Sequence, residues 1–175
     1  LFLGRFQPFH LGHLDVVRRL AREHGQVIVG IGSANVSHTA LNPFTGGERL
    51  EMVLEACREA GIGNVVPVCI PDVGRNAVWA AHVLSLVPSF STLHTNNPLP
   101  ARLFAEAGRK VAPAPFHDRA RYEGTRVRRL MLEDGSWRDL VPPAVARVVD
   151  ACRGVERMRI LAREDGKVEG RDASV

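Results

Sequence analysis

The sequence predicts an α/β protein: a parallel β-sheet flanked by helices and finished by two C-terminal helices. Three observations predict it. Short apolar runs alternate with amphipathic helical stretches along most of the chain. The first run, Leu1-Phe2-Leu3, passes through a glycine-containing loop into a helix and then a second strand, which makes a βαβ unit with a right-handed crossover. The 175 residues, 45% hydrophobic and 24% charged, amount to one domain with a single large core.

Taken in order, Leu14-Asp15-Val16-Val17-Arg18-Arg19-Leu20-Ala21 sets Leu14, Val17, Leu20 and Ala21 on one helical face. Gln26 to Ser33 is the second strand, and Ala34 to Phe44 a polar loop past its carboxyl end, the edge where open α/β sheets place ligands. Thr45-Gly46-Gly47-Glu48 has capping-box spacing and opens a helix to about Ala60. Arg49 lies in the first turn of that helix, where a cation is disfavoured unless an anion is near; a solvated arginine is the alternative. Val65 to Ile70 is a third strand, to which Pro67 objects if the strand is central.

A loop from Pro71 to Arg75 precedes a helix over about Asn76 to Leu86. There Asn76 and Trp79 stand three apart, as a helix cap and a core residue or as a paired amide and ring for a ligand. Thr92 to Thr95 is a short fourth strand, followed by Asn96-Asn97-Pro98 and a helix through Phe104. Lys110 to Pro113 is an edge-like fifth strand. Arg119, Arg121, Arg126, Arg128 and Arg129 crowd one segment, beside a helix start at Gly124-Thr125 where Thr125 is a natural cap. A capped helix start among arginines favours a polyphosphate site over a merely solvated face. Pro142 to Cys152 and Val155 to Ala162 are the closing helices. The domain spans residues 1–164, and the polar tail 165–175 is expected to be disordered.

Composition narrows the function classes. A net charge of +4 suits an anionic partner without separating nucleotide from nucleic acid. The apolar runs are too short and interrupted to span a bilayer, so no membrane role is expected. Cys57, Cys69 and Cys152 are odd in number and scattered, which suits free thiols in a cytoplasmic protein.

The informative stretch is Gly4-Arg5-Phe6-Gln7-Pro8-Phe9-His10-Leu11-Gly12-His13. A strand, a glycine-containing loop and a helix start present backbone N–H groups to a phosphate, and His10 and His13 sit together at the helix entrance. A zinc site would need a third ligand that no neighbouring residue offers. Gly4, Phe6, Pro8, His10, Gly12 and His13 match the signature of the nucleotidyltransferase superfamily. Thr125 and Arg128 match two positions of its second signature, Ser-x-Thr-x-x-Arg, from which Gly124 departs. More narrowly the chain resembles the archaeal-type nicotinamide-nucleotide adenylyltransferases through Ile31-Gly32-Ser33-Ala34, Asn42-Pro43-Phe44-Thr45, Asn76-Ala77-Val78-Trp79, Asn97-Pro98-Leu99 and Arg121-Tyr122-Glu123-Gly124-Thr125.

The resemblance implies a Rossmann-like nucleotidyltransferase fold and the reaction of NMN with ATP to give NAD and pyrophosphate, with Mg²⁺. His10, His13 and Arg128 would be catalytic. Arg5, Phe6, Gln7, Gly12, Thr125 and Arg128 would bind ATP and its phosphates. Gly32, Ser33, Arg49, Asn76 and Trp79 would bind NMN, with Arg49 on its phosphate, Trp79 stacked on the cationic nicotinamide and Asn76 on its carboxamide. No residue is assigned to a metal. A homo-oligomer, as large as a hexamer, is implied by analogy. Other acceptors (FMN, phosphopantetheine or an alcohol phosphate) stay open, as does a nucleic-acid or nucleotide-binding role. Against nucleic acid, aromatics make up only 6% of residues and none forms a stacking platform near the arginines.

Overall fold

The computed structural model describes residues 1–116 and 121–169. In chain order the elements are β1 (Phe2–Gly4), α1 (Leu11–Glu23), β2 (Val27–Ile31), α2 (Gly46–Glu59), β3 (Val65–Cys69), α3 (Asn76–Leu86), β4 (Thr92–His94), α4 (Pro98–Glu106), β5 (Lys110–Ala112), α5 (Gly124–Leu132), a 3₁₀ turn (Trp137–Leu140), α6 (Pro143–Ala151) and α7 (Gly154–Glu169). The strands form one sheet in the order β3-β2-β1-β4-β5, and every pairing is parallel. Sequence order reverses between β1 and β4, which makes the carboxyl ends of those strands the natural crevice.

Alternation along the strands builds two cores. Phe2, Val27, Val29 and Ile31 face a cluster with α1, α2 and the C-terminal helices, whereas Leu1, Ile28 and Leu93 face Ala80, Val83 and Phe104 of α3 and α4. β2 is buried along its whole length, as expected of a strand covered on both faces. Pro67 is accommodated because β3 is an edge strand, and β5 is the other edge.

Helix starts differ in detail from the expected ones. α1 begins at Leu11 with His10 as its N-cap, a turn earlier than its apolar face suggests. Arg75 and Glu123 occupy the N-cap positions of α3 and α5 without a side-chain cap bond, so Asn76 and Thr125 stand inside the first turn and are not caps. The 3₁₀ turn over Trp137–Leu140 has no counterpart in the sequence reading. α7 continues to Glu169 where irregular chain was expected after Glu164; residues 170–175 and Arg119 lie outside the described residues. Among the described residues no helix is long and apolar enough to cross a membrane.

Phe44 fastens the larger core to the loops above it. Its side chain is fully buried, and a Cβ on Gly154 would come within 2.5 Å of its ring. Phe44→Ala is expected to lower stability by about 3–5 kcal/mol, the usual range for an emptied aromatic site. Urea denaturation checks this, and a loss under about 1 kcal/mol would contradict the packing described.

Candidate active site

Where the loop after β1 enters α1, His10 at the N-cap and His13 in the first turn form a reciprocal cap. His10 is extended, and its Nδ1 accepts the backbone N–H of His13 at 3.3 Å. Nδ1 of His13 accepts the backbone N–H of His10 at 3.2 Å. The arrangement is a capping box with imidazoles in place of the hydroxyl and carboxylate. An accepting nitrogen carries no proton, so each neutral ring holds its proton on Nε2. Both rings therefore offer an Nε2–H donor at the start of a helix, where the dipole already favours an anion.

The rings stack with centroids 3.4 Å apart and planes 18° from parallel. Phe2, Phe6, Phe9 and Phe116 pack around His13. Burial lowers the pKa of His10 to about 3. Burial also holds His13 well below its ordinary value, and the neighbouring His10 ring pushes the same way. Gly12 between them is required by close approach: a Cβ there would stand 2.7 Å from Cβ of Tyr122.

Two buried arginines grip this loop. Arg128 on α5 is 9% exposed; its Nη1 donates to the carbonyl of Gln7 at 2.9 Å, and its Nη2 lies 3.5 Å from Oγ1 of Thr125. Arg49 on α2 is fully buried. Its Nη1 donates to the carbonyls of Arg5 at 2.8 Å and Gly32 at 2.7 Å, its Nη2 to Ser33 at 2.9 Å and its Nε to Thr45 at 3.1 Å. Burial lowers the pKa of both guanidiniums, and the nearby Arg5 charge adds to the effect in each. Arginine stays charged under such shifts, so the loop rests on fixed positive charge.

Beside the loop lies a cavity of about 530 Å³, lined by Arg5, Gly32, Ser33, Asn76, Trp79 and Asn97 among others. That size suits a small-molecule ligand. Trp79 meets Phe104 edge to face at 5.8 Å and also lines the cavity, so one ring both packs on the core and faces the open space. The structure thus gathers His10, His13, Gly12, Arg5, Arg128 and Thr125 at one end of the sheet, with Gly32, Ser33, Asn76 and Trp79 next to them.

Three expected contacts need correction. The Arg49 side chain does not face the cavity as a phosphate ligand, because backbone carbonyls take most of its donors. Gln7 is 4% exposed, and its amide is used at both ends by the backbone N–H and carbonyl of Phe44, each at 3.0 Å; it clips two loops together. The Phe6 ring is buried in the core, leaving only its backbone for a ligand. Asp72, Arg75 and Thr95 also line the cavity and were missed. Their signal was position, just past the carboxyl ends of β3 and β4. Among the described residues no group of three or more His, Cys, Asp or Glu could hold a metal ion.

The cytidylyltransferase-like family model matches residues 1–130. A protein of Methanothrix thermoacetophila named nicotinamide-nucleotide adenylyltransferase is 49% identical, covering 94% of this chain and 96% of its own length. One of the same name from Archaeoglobus fulgidus is 45% identical, covering 94% and 97%. A crystal structure of a bifunctional NMN adenylyltransferase/ADP ribose pyrophosphatase from Francisella tularensis, complexed with AMP and a manganese ion, superposes with a TM-score of 0.74 at 21% identity. It covers 97% of this chain and 53% of that longer one, a likeness of fold.

The neutral histidines make stability depend on pH in a defined direction. Both folded pKa values are depressed below 6.5, so the unfolded chain binds more protons as the pH drops. The stabilisation is complete above about pH 6.5 and is lost below it, at about 1.4 kcal/mol per pH unit for each histidine. Denaturation midpoints should fall from about pH 6.5 downward while the His10 and His13 ring NMR signals stay at their neutral positions. A ring titrating near its ordinary value in the folded protein would contradict this.

Proposed function

The chain belongs to the cytidylyltransferase-like family and, within it, to the nicotinamide-nucleotide adenylyltransferases, and from that membership we propose that it transfers AMP from ATP to NMN, giving NAD and pyrophosphate. The observation that carries the mechanism is the reciprocal histidine cap, which leaves the proton of each neutral ring on Nε2, at the end of a loop whose first residues, Gly4 and Arg5, line a cavity with an indole and a carboxamide on its wall.

A phosphate oxygen of NMN attacks the α-phosphorus of ATP, and the bond to the pyrophosphate oxygen breaks on the opposite side. No residue need form a covalent intermediate; the protein's task is to align the reactants and to neutralise charge on the phosphate oxygens. His10 and His13 donate hydrogen bonds from Nε2 and keep their protons, because their burial disfavours any change of charge. Arg128 and Arg5 add positive charge, Arg128 with its guanidinium anchored on the loop and Thr125 beside it. Trp79 stacks on the nicotinamide, whose positive charge adds a cation–π attraction, and Asn76 pairs with its carboxamide. Gly32 and Ser33 lie along the rest of the acceptor.

Mg²⁺ enters with ATP as part of the substrate. Its ligands would be phosphate oxygens and water, and no residue of the chain is assigned to it. The family's assembly by analogy makes this chain a homo-oligomer, as large as a hexamer, working in the cytoplasm, without a nucleic-acid or membrane partner.

The test offers the purified protein ATP, Mg²⁺ and, in parallel, NMN, nicotinate mononucleotide, FMN and phosphopantetheine. NAD and pyrophosphate formed in equal amounts from NMN are expected. Trp79→Ala should raise KM for NMN at least about tenfold, the value of a cation–π and stacking contact of roughly 1.4 kcal/mol, while KM for ATP stays nearly constant. Turnover of another acceptor alone would discard the nicotinamide assignment, and equal changes in both KM values would reduce Trp79 to packing.

A further inference from the structure

Arg49 is fully buried and makes no ion pair among the described residues, which is unusual, since a buried charge is costly unless it is paired or fully hydrogen-bonded. Arg49 is satisfied by carbonyls from three places: its own helix cap at Thr45, the loop after β1 at Arg5 and the end of β2 at Gly32 and Ser33. One nitrogen, Nη1, holds both Arg5 and Gly32.

The residues that follow those two carbonyls are both left-handed. Phe6 has φ 51° and Ser33 has φ 50°. Neither is glycine, and such a conformation costs roughly 1–3 kcal/mol unless its surroundings hold it. Gly4 makes room for the first of them: a Cβ there would stand 2.7 Å from the Phe6 ring. In a trans peptide the C=O and the next N–H point in opposite directions. With the Arg5 and Gly32 carbonyls bonded to Arg49, the N–H groups of Phe6 and Ser33 point away from it, and Arg5 and Ser33 both line the cavity.

We propose that Arg49 is a positioning residue that never touches substrate: it pins the Arg5 and Gly32 carbonyls, holds Phe6 and Ser33 left-handed, and so turns their backbone N–H groups toward the substrate phosphates. The proposal rests on the adenylyl-transfer reading above. It assigns one side chain on α2 the task of setting two loops at once, and it accounts for a cation in the first turn of a helix, where the dipole opposes it.

The test uses Arg49→Lys and the double variant Arg49→Lys with Ser33→Gly, each first shown folded by circular dichroism. Lysine keeps the charge but lacks the planar fork that spans several carbonyls. Arg49→Lys is expected to lose about 10²-fold in kcat/KM, the scale of a misplacement near 1 Å. Ser33→Gly in that background should recover about fivefold, because glycine takes positive φ without the strain that Arg49 offsets. No recovery would overturn the proposal. Should Arg49→Lys fail to fold, the wild-type protein decides. Titration with ATP and NMN should shift the Phe6 and Ser33 amide signals together with the His10 and His13 rings. Rings that respond without either amide would overturn the positioning role and leave adenylyl transfer standing; no response anywhere would end both.

Discussion

The site depends on buried positive charge that, among the described residues, forms no ion pair with a carboxylate. Arg49 and Arg128 each reach the β1–α1 loop from below and spend donors on its carbonyls, at Arg5 and at Gln7. A carboxylate in that position would cancel the field that phosphates need. Carbonyl dipoles satisfy the guanidiniums while leaving their charge in place. The loop's shape and the positive charge beneath it thus share one cause.

Two capping boxes extend that logic. At α1, imidazoles replace the usual hydroxyl and carboxylate, so the device that starts the helix also fixes the tautomer of both rings. At α2 the ordinary pair, Thr45 and Glu48, starts the helix that carries Arg49. Glu48 also receives Arg157 of α7 through both carboxylate oxygens, at 2.8 Å each. This half-buried pair ties the C-terminal helix, beyond the residues the family model covers, to the turn that holds Arg49. Its bonds to Arg157 and to the Thr45 backbone lower the Glu48 pKa against the opposing effect of burial. The C-terminal helices therefore do more than cover the sheet.

Much of the architecture was legible in the sequence. Alternation and glycine placement mark the five strands and the helices between them, and the His10–His13 spacing marks the site. The Thr45–Glu48 box is explicit in four residues. Other features were not legible because they depend on tertiary contact. An arginine in the first turn of α2 implies an acceptor, but only the fold shows that its acceptors are carbonyls from two strand ends and from its own helix cap. Gln7 and Phe6 lie inside a signature and look like ligand contacts, yet one clips Phe44 and the other packs in the core. Asp72, Arg75 and Thr95 carry no local motif; their place at the strand ends brings them to the cavity.

The central claim is direct transfer in a site whose donors are set before substrate arrives, with no covalent step on the protein. The most direct measurement is the stereochemical course at the α-phosphorus, using ATP made chiral there by sulfur substitution and reading the configuration of the NAD analogue by ³¹P NMR. A single in-line displacement predicts inversion. Retention would require two displacements and a covalent enzyme intermediate, and would contradict the account.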